Sequence, residues 1–418
     1  MLQIPATYYK NNEDYITIPK IKDFMRSHSD GKFKFSLQRE QLMDSILEYA
    51  NKSETNAELV LNWLDDALQE GIKDINLQAF PLNETMKVVL SNVASANHYL
   101  KQHVDKNANP HICLNQYAEY YKLINSYAID TEYGIKVVFI YCKKLHMHDK
   151  KNQRTKTIDY PVTAEYYVEG EWLLVKAKPR SNLYVYNPQG FNIEGAVTTT
   201  TEKEIKYVVE KVKNILNLEK SDKTAAAYFL KNKVFELIHK YTKTPVEIFE
   251  VMETQKSNIE TIANSIQAIC TVEGSCQIPS NMMCDVNDDI RNIVEKYLSI
   301  NWNDKSVFIK DRDAYPIKVS ATDEEESKVE QSAALKEPLQ TKAIFFDNKK
   351  MLYKNKRCNG VIFQWKRINT LKALNEFFPV RIIVDDKGNC IFKFPEYTTK
   401  EDIENVIFSI IKPSCTTN

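Results

Sequence analysis

The hydrophobic residues of this chain change their spacing along the sequence, and this change constrains the fold more than any other feature. Apolar residues recur at helical spacing through residues 39–50 and 57–71. β-Branched and aromatic residues then dominate short runs between residues 135 and 186, which is typical of strands. Helical spacing returns at residue 202. The sequence therefore predicts an α+β fold with a helical N-terminal region, a central antiparallel sheet, a helical segment and a small C-terminal α+β domain.

Four strands are expected in the central sheet. They span residues 135–142, 163–168, 172–178 and 182–186, with a hairpin turn at 169–171 and a polar connection over 143–159. Helices are expected on both sides of the sheet in sequence, at 20–28, 39–50, 57–71, 83–103, 114–126, 202–218, 224–243, 246–268 and 288–299. Short strands are expected at 307–310 and 317–320.

The C-terminal region is predicted to be a compact α+β unit that follows an acidic linker. Its strands are expected at 342–346, 361–365, 380–384 and 390–394, and its helices at 369–378 and 400–411, the latter capped by Thr398 or Thr399. The domain prediction is helical for 1–130, β for 131–200, mainly helical for 201–320, an acidic linker for 321–341 and a basic α+β domain for 342–418.

Composition excludes several classes of protein. Glycine is scarce, with nine residues in 418, and no Walker, dinucleotide-binding or nucleophile-elbow motif is present. No apolar run approaches the ~18 residues of a membrane span. The eight cysteines are scattered, and the N-terminus lacks a cationic start followed by an apolar stretch. We therefore expect an intracellular protein, cytoplasmic or in the nucleoid or nucleus, with reduced thiols, no membrane partner and no cofactor.

The net charge is zero, but basic and acidic residues are concentrated in separate segments of the sequence. Residues 342–372 carry nine lysines and arginines and one acid, Asp347, whereas residues 323–326 are all acidic. Aromatic residues, among them Phe363 and Trp365, are interleaved with the cations. Lysine and arginine neutralise phosphates, and exposed rings stack on unpaired bases. The predicted contacts in this stretch are Lys349, Lys350, Lys354, Lys356, Arg357, Trp365, Lys366 and Arg367.

An alternative interpretation of the same stretch stays open. Strand residues alternate between two faces, so Phe363 and Trp365 could belong to the core while the lysines are only solvated.

A second basic segment, residues 141–156, is expected to form a long loop on a sheet edge and to lie along a phosphate backbone. Its predicted contacts are Lys143, Lys144, Lys150, Lys151 and Arg154. Its alternative is an ordinary surface loop. A zinc site formed by Cys142, His146 and His148 is another alternative, because thiolate and imidazole are zinc ligands, although the spacing matches no standard finger.

Two other classes of function remain open from the residues. Asp385 and Lys387 form an Asp-x-Lys pattern that, with Asp347, could hold Mg²⁺ as in restriction-type nucleases, but the same residues also read as a hairpin turn. A protein–protein scaffold, whose basic patches meet acidic partner surfaces, is the second alternative.

Residues 18–50 resemble a SAP-like helix–extension–helix module. The resemblance lies in a short helix at 21–28, an extended link at 32–37 and a second helix that opens Arg39-Glu40-Gln41-Leu42. The family binds DNA, and the resemblance implies that Lys32, Lys34 and Arg39 would be the contacts here.

Together these features predict a non-catalytic nucleic-acid-binding protein that is part of a larger intracellular assembly. The expected partners are DNA or RNA and one or more proteins.

Overall fold

The computed structural model describes residues 2–4, 8, 15–28, 38–270, 280–322, 328–332, 336–369 and 374–412. Two compact units make up the chain. Unit 1 combines Met1–Ala226 with Asn389–Asn405, and unit 2 combines Ala227–Gly388 with Val406–Asn418.

Unit 1 is built on an antiparallel sheet. Its strands are β1 (Lys73–Ala79), β2 (Lys122–Thr131), β3 (Gly134–Asp149), β4 (Arg154–Tyr167), β5 (Trp172–Ala177), β6 (Leu183–Val185), β7 (Thr198–Thr199) and β12 (Asn389–Phe394). They are ordered β7-β6-β3-β4-β5-β1-β12, and β2 pairs with the first half of β3. The chain's last strand thus pairs with its first strand, at Ile75↔Phe392 and Leu77↔Cys390.

The helices of unit 1 cover both faces of this sheet. They are α1 (Ile18–His28), α2 (Arg39–Ala50), α3 (Glu54–Gln69), α4 (Glu84–Val89), α5 (Val93–Lys101) and α6 (Thr201–Leu216). Val137 and Phe139 of β3 lie in one apolar cluster with Val212 of α6. Val138 and Ile140 lie in another cluster with α1, α2 and α3. Successive strand residues point to opposite faces, so β3 is buried on both.

Unit 2 has its own antiparallel strands and a set of helices. The strands are β8 (Ala314–Thr322), β9 (Lys328–Ser332), β10 (Gly360–Lys366) and β11 (Phe377–Val384), ordered β11-β10-β8-β9. The helices are α7 (Lys223–Tyr241), α8 (Val246–Thr254), α9 (Lys256–Cys270), α10 (Ser280–Asn301) and α11 (Ala343–Asn355), and α12 (Lys400–Ile411) follows β12 in sequence. The ring of Tyr241 packs edge-on against Phe363 and Trp365, at 5.8 Å between centroids in each case.

The α+β class is confirmed, and so are most predicted elements. Many predicted elements are present with shifted ends. The helices among them are those predicted at 20–28, 39–50, 57–71, 202–218, 224–243, 288–299 and 400–411. The strands are those predicted at 163–168, 172–178, 182–186, 317–320, 361–365, 380–384 and 390–394. Thr399 caps α12, because its Oγ1 accepts the backbone N–H of Asp402 at 3.2 Å. The predicted helix at 83–103 is two helices, and Asn92 caps the second of them.

The polar connection predicted over 143–159 is wrong. β3 and β4 continue through it as one long hairpin to the pair Asp149↔Arg154. Lys143, His146 and His148 in β3 are buried, so polar side chains occupy positions that a hydrophobic pattern assigns to apolar residues. β3 is buried on both faces and contains polar residues, and its sequence pattern therefore resembled that of a loop.

The N-terminal region contains two strands where only helices were expected. The predicted helix at 114–126 is wrong, because residues 122–126 open β2, which pairs with β3. β1 was missed entirely. Its inward positions Lys73, Ile75 and Leu77 alternate correctly, but the buried lysine at the first position hid the pattern.

Three predictions in unit 2 also need correction. The strand expected at 342–346 opens helix α11, where Phe345, Phe346 and Leu352 are buried; a short apolar run does not distinguish the two structures. The helix expected at 369–378 is absent from its described part, and Phe377 begins β11. The strand expected at 307–310 is replaced by a 3₁₀ helix, Lys305–Phe308, which Asp304 caps.

The predicted acidic linker contains ordered elements. β9 pairs with β8, with Val319 opposite Gln331, and a 3₁₀ helix at Leu339–Thr341 buries Leu339. The acidic run 323–326 lies outside the described residues.

Candidate nucleic-acid interface

The interleaved aromatic residues of 342–372 are core residues. Phe345, Phe346, Phe363 and Trp365 are at most 1% exposed. The expectation that Trp365 stacks on bases needs correction, because its ring is enclosed by Tyr241 and Phe363. Phe363 and Trp365 share one face of β10, which packs on Tyr241 of unit 2, and Gln364 on the other face is also buried.

Several predicted cations of the same stretch form ion pairs within unit 2. Lys349 Nζ lies 2.5 Å from Glu295 Oε2, and Lys350 Nζ lies 3.1 Å from Asp289 Oδ2. Lys366 lies 3.2 Å from Glu376. Arg367 is only 5% exposed, and its Nε donates to the backbone carbonyl of Asn375 at 2.9 Å. Arg367 is therefore a structural residue, contrary to the prediction.

The second basic segment is divided by its fold. Lys143 is buried and its Nζ lies 2.6 Å from Glu204 Oε2, so it is not accessible to a ligand. Lys144 is half-buried, with its Nζ 5.6 Å from the ring centroid of Tyr186. Lys150, Lys151 and Arg154 are exposed at or beside the tip of the β3–β4 hairpin. The predicted loop is thus reduced to a short basic tip.

The three residues that the SAP-like resemblance singles out are only partly described. Helices α1 and α2 lie where the resemblance places them. Arg39 Nη1 donates to the backbone carbonyl of Ile16 at 2.5 Å, which ties α2 to the segment just before α1. Lys32 and Lys34 fall outside the described residues. DNA binding by this module stays a prediction.

The alternative zinc residues serve the fold of β3. Burial raises the pKa of the Cys142 thiol well above its usual value. His146 Nε2 accepts the backbone N–H of Asn187 at 3.2 Å, and His148 Nδ1 lies 3.0 Å from Thr155 Oγ1. In the part of the chain that the structure describes, no group of three or more His, Cys, Asp or Glu side chains is placed to hold a metal ion.

The alternative nuclease residues have structural partners. Asp347 pairs with Lys296. Asp385 Oδ1 accepts the backbone N–H of Lys387 at 2.9 Å and closes the turn in which Gly388 has a φ of +76°.

A group of cations and rings lies in unit 2 where α7 meets the C-terminal end of α11. Arg357 lies over Tyr228, the backbone carbonyl of Lys356 accepts a hydrogen bond from Asn232 Nδ2 at 3.1 Å, and Tyr353 contacts His239. The chain from Tyr353 to Arg357 therefore lies along α7 in the opposite direction. We call this the basic surface and define it by its members: Lys243, Lys349 (which pairs with Glu295), Lys354, Lys356 and Arg357, with the rings of Tyr228, His239 and Tyr353.

The contact between Arg357 and Tyr228 places an aromatic face and a cation together at the surface. The guanidinium carbon lies 4.4 Å from the ring centroid, and Tyr228 is 54% exposed. Such stacking orients a guanidinium while leaving its N–H groups free to meet oxygen acceptors.

Two cations of the basic surface lie near His239. Partial burial, together with the positive charges of Lys243 and Lys349, lowers the pKa of this imidazole from its usual value. His239 also contacts the Tyr353 ring at 5.2 Å between centroids. The two lysines therefore add to burial in disfavouring a further cation at this position.

The basic stretch predicted from the sequence includes the α11 residues of this surface but not the α7 residues. Lys349, Lys354, Lys356 and Arg357 belong to the predicted basic stretch, whereas Tyr228 and His239 lie over a hundred residues earlier. The one available signal was that these two polar-edged rings lie in a helix at exposed positions.

Among the described residues, no helix combines the length and apolar content needed to cross a membrane. Comparison of the chain with protein-family models, curated proteins and solved structures finds no match.

Proposed function

We propose that this protein binds nucleic acid without catalysis, through the basic surface of unit 2. The observation that carries the proposal is the run of cations and ring faces along α7 and α11, with Arg357 stacked on the exposed Tyr228 at one end. The expected intracellular location and protein partner stay predictions of the sequence.

The length of the surface suits a nucleic-acid backbone. α7 runs about 20 Å from Tyr228 to its end at Tyr241, at ~1.5 Å per residue, and Lys243 lies two residues further on. Lys354, Lys356 and Arg357 are exposed at and just beyond the C-terminal end of α11. Successive cations over such a distance can neutralise several phosphates, and each contact releases condensed counterions.

The chemistry favours phosphate over a metal or a neutral ligand. Arginine offers a planar set of donors that fits phosphate oxygens, and lysine adds point charges. Contacts to phosphate carry no sequence information, so we expect affinity with little dependence on base order.

The proposal is tested by removing three surface charges. In the triple variant Lys354→Gln, Lys356→Gln, Arg357→Gln, the affinity for a labelled oligonucleotide should fall about a hundredfold at 0.1 M salt, because each phosphate contact contributes ~0.7 decades there. Fluorescence anisotropy measures this directly.

The matched control neutralises three exposed lysines of unit 1, by Lys52→Gln, Lys101→Gln and Lys106→Gln. It makes the same change in net charge and should leave affinity almost unchanged. Equal losses in both variants would show that only overall charge matters. If the unaltered protein binds neither DNA nor RNA at low salt, the proposal is wrong, and a scaffold that meets acidic proteins takes its place.

A further inference from the structure

A cleft of about 750 Å³ opens in unit 2 beside the basic surface. Its lining comes from Thr244 before α8 and from three helices, with Phe249 and Met252 on α8, Asp289 and Asn292 on α10, and further residues on α11. The volume lies within the ~300–1,000 Å³ of typical ligand sites. The cleft is therefore large enough for a nucleotide unit, and the proposed function does not yet use it.

The cleft offers apolar and aromatic surface. Phe249 is 48% exposed, whereas Met252 is 4% exposed. Tyr353 of α11 also lines the cleft and is half-buried. An exposed phenylalanine in a concave site is a surface on which a flat ring can stack.

Both walls of the cleft carry charged side chains. α11 contributes the cations Lys349, Lys350 and Lys354, and α10 contributes Asp288, Asp289 and Glu295 together with one cation, Arg291, which pairs with Glu253. Lys349 pairs across the cleft with Glu295, and Lys350 pairs with Asp289. An ammonium group in such a pair keeps further N–H donors for a phosphate, and a carboxylate oxygen can accept a second hydrogen bond from the amino group of a base.

The α10 wall is held in place from both sides. Glu295 is 5% exposed, Lys349 Nζ lies 2.5 Å from its Oε2, and Thr244 Oγ1 donates to its Oε1 at 2.7 Å. Asn292 Nδ2 donates to the backbone carbonyl of Phe346 at 3.1 Å, which ties α10 to α11. The cleft is thus a preformed feature of the fold.

The cleft and the basic surface share residues. Lys349, Tyr353 and Lys354 belong to both, so a strand whose phosphates lie along the surface passes the mouth of the cleft. In a duplex the bases are paired and stacked, and entry of one base would require its extrusion. An unpaired base meets no such barrier.

We propose that the cleft receives an unpaired nucleobase of the bound strand, and that the protein is therefore selective for single-stranded nucleic acid. The inference rests on the proposed function and deepens it, because it names the class of nucleic acid that the same site takes.

The test compares a labelled single-stranded oligonucleotide of mixed sequence with the same strand in a duplex. The unaltered protein should bind the single strand at least tenfold more tightly. Phe249→Ala and the apolar but non-aromatic Phe249→Leu should each weaken single-strand binding roughly five- to hundredfold, the range for one base–aromatic stack, and should leave duplex binding unchanged. Tyr297→Ala removes a ring that is 60% exposed on α10 outside the cleft lining, and should change neither.

The outcomes separate this inference from the proposed function. Equal affinity for single strand and duplex, unaffected by either Phe249 variant but weakened by the Lys354, Lys356 and Arg357 variant, would overturn the cleft assignment and leave the basic surface intact. Absence of binding to both forms by the unaltered protein would overturn both. Circular dichroism shows whether the variants keep their fold, and Phe249→Leu keeps an apolar side chain should the alanine variant unfold.

Discussion

At the scale of single residues, unit 1 is distinguished by ionic side chains inside its sheet. Glu165 of β4 and Lys176 of β5 are 1% and 3% exposed, and Lys176 Nζ lies 2.5 Å from Glu165 Oε1. Tyr167 donates its hydroxyl to Glu165 Oε2 at 3.1 Å. Burial alone would raise the pKa of Glu165, but the charges of Lys176 and Lys136 outweigh it and lower the pKa to about 2.

We expect Glu165→Gln to destabilise unit 1 by roughly 3–5 kcal/mol, because it leaves Lys176 buried without its counter-charge. The double variant Glu165→Gln, Lys176→Met removes both charges and should lose less than the single variant. Urea denaturation at pH 7 measures the free energies of unfolding.

The pair of Glu165 and Lys176 also determines the direction in which stability changes with pH. Because the folded-state pKa of Glu165 lies below its ordinary value of 4.5, its contribution to stability is present above pH 4.5 and is lost as the pH falls towards about 2. The single variant should lack this part of the acid dependence. A single variant as stable as the unaltered protein would contradict the account of the pair.

At the scale of elements, the β3–β4 hairpin is the clearest departure from the sequence-based expectation. Leu145↔Ile158 and His146↔Thr157 are paired positions within strands, and only residues 150–153 form the turn. A one-residue insertion inside a strand turns all later side chains to the opposite face, whereas a turn absorbs it.

We therefore expect one alanine inserted after His146 to destabilise the protein strongly, and the same insertion after Lys151 to cost about 1 kcal/mol or less. Thermal unfolding of the two variants makes the comparison, and the tip insertion serves as the control. Equal tolerance at the two places would mean that residues 143–159 form a loop, as the sequence first indicated.

The strands differ in how well the sequence predicts them. β11 and β12 were predictable because their buried residues are apolar and alternate, as Phe378, Val380 and Ile382 do. β1 and the outer half of β3 were not predictable, because buried lysines and histidines occupy inward positions and their partners lie far away in sequence, as Glu204 does for Lys143.

The candidate site also contains residues that the sequence predicts and residues that it does not. Charge sorting located Lys354, Lys356 and Arg357 because they are close in sequence. Tyr228 joins them only because α7 packs beside the end of α11. Trp365 does not belong to the site, because its stretch of β10 is buried on both faces. The local sequence pattern therefore predicted the cations near α11, missed the rings of α7 and wrongly included Trp365.

At the scale of the whole molecule, 56 basic and 56 acidic residues give no net charge, so overall charge does not attract a polyanion. Many of the cations are used internally, as in the pairs of Lys136, Lys143 and Lys176. Binding must then come from local concentration of charge, and the basic surface is the place where the described residues supply it together with exposed ring faces.

The measurement that tests this account most directly is the salt dependence of binding to a single-stranded oligonucleotide, for the unaltered protein and for the variant Lys354→Gln, Lys356→Gln, Arg357→Gln. The logarithm of the association constant should fall linearly with the logarithm of salt concentration, and the slope of the variant should be shallower by about two, as expected for three lost phosphate contacts. Identical slopes for the two proteins would contradict the assignment of the basic surface as the nucleic-acid interface.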